Sequence, residues 1–238
     1  MSARPTPPHN PTAVRGTALF VHGLWLTGAE SFYLKRQLSR DGWALRVVPW
    51  SSLSEPLDAV ARRCARFALA LALRTLAPVH LLGHSLGGLV IYRMFELGLL
   101  QADRFSGDFC RVVLLGSPVN GSQSGRALAR IGPAAGAALL GRAGRDVLTA
   151  DERRSWRFSA QLGTIAGNRP HGLGRFIAGI SGPNDGTVAV PETEVEGATA
   201  HCLLPVSHIG MLWSEEVATQ VAHFLEHGRF SQTAERSL

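Results

Sequence analysis

From residue 17 onward, short apolar runs alternate with longer segments in which apolar positions recur every three to four residues. Runs of the first kind are 17–22 (TALFVH), 44–49 (ALRVVP), 79–83 (VHLLG), 111–116 (RVVLLG), 175–181 (RFIAGIS) and 201–206 (HCLLPV). They are apolar on both faces, as expected of strands covered from two sides. Among the longer segments, 55–76 starts with Pro56 in its first turn, where no N–H partner is needed, and carries Val60, Cys64, Phe67 and Leu71 along one face. The segment 88–99 places Val90, Met94 and Leu97 on one side. The last helix is predicted to open at Ser214 as N-cap, with Glu215 and Glu216 favourably placed against the helix dipole. It buries Val217, Val221, Phe224 and Leu225 and stops at Gly228.

This alternation predicts an α/β fold with a mostly parallel central sheet and helices on both faces. Residues 121–170 break the rhythm, being rich in Gly, Ala and Arg with Trp156 and Phe158 near the end. They read as a cap-like excursion over the C-terminal ends of the strands, where loops carry function. The expected organisation is a leader over 1–15, one domain over 16–230 and a tail over 231–238.

Composition narrows the picture. A chain of 238 residues, 45% of them hydrophobic, can bury one large core without disulfides. Cys64, Cys110 and Cys202 are odd in number and lack C-x-x-C spacing, which argues against a disulfide framework, a structural zinc site or a redox pair. The net charge of +6 raises the question of an anionic partner. The arginines are dispersed, however, and no basic run is interleaved with aromatics, so no nucleic-acid partner is expected. Residues 1–15 hold four prolines and no apolar core of a signal peptide. The apolar stretch 131–141 is too short for the roughly 20 residues a transmembrane helix needs. The expectation is a cytoplasmic protein with no transmembrane segment, peripheral membrane contact being left open.

The chemistry is carried by Gly83-His84-Ser85-Leu86-Gly87. In G-x-S-x-G the serine sits on a sharp strand-to-helix turn, so the residues two before and two after must be small. Here an apolar strand precedes the motif and an apolar helical pattern follows it. A serine hydroxyl needs a base within reach and a third group that fixes the base's tautomer. Of nine histidines, His208 stands on a loop between the last strand and the last helix, with His171 as runner-up. Asp185, in Gly-Pro-Asn-Asp-Gly-Thr-Val, follows a run read as a strand and precedes His208, the order Ser, acid, His that this topology uses. Asn-Asp-Gly is also strong turn chemistry, so a plain turn aspartate is the rival reading. Asp146 and Asp151 are weaker candidates within the excursion. An oxyanion needs two N–H donors, one from the residue after the nucleophile and one from an early loop, which designates Leu86 and Leu24.

Taken in order, Val-His-Gly, Gly-His-Ser-Leu-Gly-Gly, Gly-Ser-Pro-Val-Asn-Gly-Ser, Asn-Asp-Gly-Thr-Val and Ser-His-Ile-Gly-Met resemble the α/β-hydrolase superfamily and, within it, small bacterial lipases and esterases. Residues 116–122 are similar to the Gly-Thr-Pro-x-x-Gly-Ser segment of those enzymes, and 208–211 to their catalytic-histidine loop. The resemblance implies hydrolysis of a small-molecule acyl ester through an acyl-enzyme, with no organic cofactor. Some related lipases use structural calcium, but no carboxylate cluster in the sequence identifies such a site, so no metal is expected. The lack of an export signal argues against extracellular triglyceride digestion. A thioesterase or acyltransferase is the enzymatic alternative. A non-catalytic binding module is disfavoured because serine, acid, base and oxyanion loop occur together.

Overall fold

The computed structural model describes residues 15–75, 78–100, 107–149, 153–171 and 179–231. Among them, six strands form one sheet: β1 (Gly16–Val21), β2 (Trp43–Val47), β3 (Val79–His84), β4 (Gly107–Leu115), β5 (Ala160–Gly167) and β6 (Ala200–Leu204). Their order is β2-β1-β3-β4-β5-β6, and every neighbouring pair is parallel. All C-terminal strand ends therefore lie along one edge. The chain runs outward from β1 to β2 and then crosses to β3 on the other side of β1, so the β1/β3 crevice is a topological switch point, where open α/β sheets place their ligands.

The helices are α1 (Phe32–Arg40), α2 (Leu57–Thr75), α3 (Leu86–Glu96), α4 (Gln123–Arg130), α5 (Pro133–Leu148), the single turn α6 (Val190–Thr193) and α7 (Glu215–His227). The period-2 alternation of the strands sorts the core into two layers. Leu19, Val21, Leu81, Val112 and Leu114 face α2, α3 and the inner sides of α4 and α5. Ala18, Phe20, Leu82, Val113 and Leu115 face α1 and α7.

The last helix agrees with expectation in detail. The Ser214 hydroxyl accepts from Val217 N–H, and Gly228 ends the helix in the left-handed region at φ 68°. Elsewhere the described residues differ from expectation within 121–170 and on α2. The run 175–181 lies largely outside the described residues, and its last three positions are not in a strand. The strand beside β4 is instead β5, inside the stretch read as an excursion, which leaves α4 and α5 as that stretch's helical part. β5 (AQLGTIAG) gives no clean apolar run because Gly163 interrupts it. The glycine is there for the opposite layer: a β-carbon on it would lie 2.7 Å from the Phe224 ring. On α2, Phe67 is exposed, and the buried stripe is Val60, Cys64, Ala68 and Ala72 with Ala61 and Ala65. Small residues let the helix lie close on the sheet, and they centre its buried face near Ala68, about 100° around the helix from Phe67, while Leu71 packs half-buried against the core at the rim of that face.

Phe224 is fully buried against β5 and Phe230. Replacing it with alanine is expected to cost about 3–5 kcal/mol of unfolding free energy, read from urea denaturation, because the rigid sheet beneath cannot collapse into the space.

Candidate active site

Ser85 is where β3 turns into α3. Its backbone adopts φ 55° and ψ −125°, an unusual conformation for a residue with a side chain. The turn is held by Ser85 N–H donating to Leu115 O at 2.9 Å and by Gly88 N–H donating to Ser85 O at 3.0 Å. Both motif glycines are required by close approach. A β-carbon at Gly83 would lie 2.6 Å from Gly88 Cα, and one at Gly87 would lie 2.0 Å from Val21 O at the end of β1. The serine is thereby lifted out of an otherwise buried run.

His208 follows β6, buried at the same edge of the sheet. Its Nδ1 donates to Asp185 Oδ2 at 2.7 Å, which leaves the lone pair on Nε2. Its own N–H donates to Asp185 O at 2.9 Å, so backbone and side chain are both tied to the same residue. Asp185 is only 1% exposed. Its other oxygen, Oδ1, accepts from Thr187 N–H at 2.9 Å and Val188 N–H at 2.7 Å. Each carboxylate oxygen has its own partners: Oδ1 closes the turn and Oδ2 binds the histidine. Gly116 closes the pair from behind, with space for a β-carbon only 3.0 Å from Asp185 Oδ2 and 3.1 Å from His208 Nδ1.

Ser85, His208 and Leu24 line one cavity of about 350 Å³. Its walls include Leu26, Leu128 of α4, Leu148 of α5, Val188 and Ile209, so it is mainly apolar with a few polar groups at one end. Gly23 brings the early loop against the serine, since a β-carbon there would meet Ser85 Cβ at 2.8 Å. Leu86 is the first residue of α3, where a helical N–H has no intrahelical partner. His171 also lines the cavity but is exposed, and the bond to Asp185 belongs to His208. Asp151 lies outside the described residues.

Two supporting groups were not singled out from the sequence. His84 Nε2 lies 3.0 Å from His208 O, and because a carbonyl only accepts, that nitrogen carries the proton. The two imidazole centroids are 4.7 Å apart, and His84 Nδ1 is buried without a hydrogen-bond partner among the described residues. Burial, with His208 acting in the same direction, pushes the His84 imidazole down to about 3. Glu192 is a buried carboxylate in α6 whose Oε1 accepts from Gln123 N–H at 2.6 Å and whose Oε2 accepts from Ala189 N–H at 2.9 Å. Burial raises its pKa, opposed by those two backbone bonds. No local sequence signal marks it, since Val-Pro-Glu-Thr reads as an ordinary polar turn.

His84 and His80 are both held neutral, the latter pushed down to about 4 by burial and by Arg111. Each folded-state pKa lies below the ordinary histidine value, so the unfolded chain binds more protons between them. The stability they support is complete above about pH 6.5 and falls as pH drops towards 4 and then 3. Urea midpoints measured from pH 7 to 4 are expected to decline, with a limiting slope of about 1.4 kcal/mol per pH unit for each histidine. The decline should be shallower in His84→Gln.

The Alpha/beta hydrolase family matches residues 18–223. No curated protein matches the sequence. Among solved structures, the chain is similar to the mature form of Bacillus licheniformis lipase BlEst2, with 18% identity, a TM-score of 0.71 and coverage of 94% of this chain and 96% of that one. It is also similar to phospholipase PlaB from Legionella pneumophila, with 17% identity, a TM-score of 0.66 and coverage of 92% and 62%. A third is the RedJ thioesterase of the Streptomyces coelicolor prodiginine pathway, with 15% identity, a TM-score of 0.53 and coverage of 93% and 90%. The family match takes in the turn at Ser85, the Asp185–His208 pair and the whole described sheet from residue 18 onward, and the chain belongs to the alpha/beta hydrolase family.

Proposed function

We propose that the protein is a serine hydrolase that cleaves carboxylic acyl esters through an acyl-enzyme. The observation that carries this reading is a serine on a strained turn facing the same cavity as a histidine whose tautomer is set by a buried carboxylate. In the proposed reaction His208 Nε2 takes the Ser85 hydroxyl proton as Oγ attacks the carbonyl carbon. Asp185 stabilises the imidazolium that forms, without itself becoming protonated. The N–H groups of Leu24 and Leu86 receive the developing oxyanion, where fixed donors act more strongly than mobile water would. The tetrahedral intermediate collapses, the leaving alcohol takes its proton from His208, and water enters by the same route to release the acid.

The cavity walls support an apolar acyl group. Leu128 and Leu148 come from the two helices that depart from the βα rhythm, so chain-length preference resides in α4 and α5. The likeness of the fold to a thioesterase makes an acyl thioester the alternative donor, since the same constellation serves either leaving group.

Ser85→Ala is expected to abolish covalent labelling by a fluorophosphonate and to reduce hydrolysis of p-nitrophenyl esters to background, with an unchanged circular dichroism spectrum. Labelling of the variant at the wild-type rate would overturn the assignment. A panel of p-nitrophenyl esters and acyl thioesters separates the two donors by kcat/KM. For Asp185→Asn the expectation is a fall on the order of 10⁴ in kcat, because the amide lets the imidazole adopt the wrong tautomer. A rate within tenfold of wild type would remove Asp185 from the mechanism.

A further inference from the structure

Helix α5 is broken near its middle, and the break is closed by the loops that follow β1 and β2. At Gly141 the backbone turns to φ 63° and ψ −174°. In an unbroken helix Arg142 N–H would donate to Ala138 O and Ala143 N–H to Leu139 O. Here Arg142 N–H donates to Leu53 O at 3.1 Å and Ala143 N–H to Ser52 O at 3.4 Å. The Leu139 carbonyl released by the break accepts the indole N–H of Trp25 at 2.8 Å. The approach is close enough that a β-carbon at Gly141 would lie 2.4 Å from Ser52 O.

Trp25 is bound at a second point, its backbone N–H donating to Ser52 Oγ at 3.0 Å. It has φ 61°, and with Ser85 it is one of two non-glycine residues with positive φ among those described. Such a conformation in a bulky residue costs on the order of 1–3 kcal/mol and persists only where its surroundings impose it. Burial does not impose it, because the residue is 48% exposed. The two hydrogen bonds do. The preceding residue is Leu24, whose side chain approaches α5 at Gly144, 3.8 Å from where a β-carbon would stand.

We infer that Trp25 is a positioning residue for the oxyanion site: its two hydrogen bonds set the Leu24 N–H and make the break in α5 part of the oxyanion hole. The inference rests on the acyl-transfer reading above. An oxyanion donor works only if it is preorganised at about 2.7–3.1 Å from where the charge develops. A loop on glycine hinges does not hold that geometry unaided, and a displacement of about 1 Å is enough to lose on the order of 10² in rate. Anchoring Trp25 to α5 and to Ser52 means that the helix walling the acyl pocket also holds the donor. Displacing α5 would open the pocket and disassemble the hole in one event.

The test is steady-state hydrolysis of a p-nitrophenyl ester by Trp25→Phe, which keeps an aromatic ring and removes the indole N–H, and by Ser52→Ala, which removes the second anchor. The expected result for each is a fall of about 10- to 100-fold in kcat with KM within about twofold, because the donor acts on the transition state and not on the ground state. The pH profile should keep its acid limb, since His208 and Asp185 are untouched. A kcat within threefold of wild type, a loss confined to KM, or a displaced acid limb overturns the inference. Thermal melts are run in parallel, and a lower Tm with kcat at 25 °C preserved is the result of a merely structural role and also overturns it. If Trp25→Phe does not fold, Ser52→Ala decides alone. Hydrolysis retained by Ser85→Ala would defeat the underlying reading, whereas Ser85→Ala inactive beside a fully active Trp25→Phe defeats only this inference.

Discussion

The contact on which the site depends is between backbones. The turn at Ser85 exists because β3, the start of α3 and the end of β1 approach so closely that no side chain fits at Gly83 or Gly87. The strain at Ser85 is carried by the sheet, through Leu115 O on β4 and the seating of α3 over β1. Because the strands are parallel, their carboxyl ends reach one edge together, and the loops after β1, β3 and β6 meet there without any long excursion. The sheet thus supplies positional accuracy, while the loops supply chemical groups.

The Asp185–His208 pair is supported in the same manner, by redundancy. Asp185 uses both oxygens and both of its backbone polar groups within a few residues of itself or on His208. His208 is gripped at Nδ1, at its own N–H and at its carbonyl by His84. A neutral His84 suits this place, since a second positive charge beside the imidazole would oppose its protonation.

The parts of this arrangement that were legible in the sequence are those with short-range steric or hydrogen-bonding rules. The Ser85 turn, the Ser214 cap and the Gly228 stop each follow from a few adjacent residues. Helix α1 left little trace because only Leu34 and Leu38 of it are buried. β5 was hidden by a glycine that serves a phenylalanine some sixty positions away, and Phe67 was placed inside by a periodicity that alanines carry instead. Asp185 is marked in the sequence by chain order and by a run that lies mostly outside the described residues, and the structure sets its Oδ2 2.7 Å from His208 Nδ1. The roles of Ser52, Trp25 and Glu192 depend on partners distant in the chain, which no local pattern encodes.

Glu192 gives the cap region a property of its own. One carboxylate grips the first N–H of α4 and the N–H of Ala189, which directly follows the residue whose amide binds Asp185. The helix that walls the pocket and the loop that holds the imidazole are therefore tied into a single module. Under the proposed function, a grafted or recombined α4 that leaves this carboxylate behind would alter the support of the imidazole along with the pocket wall. Under that function, substrate range and catalytic competence would diversify together.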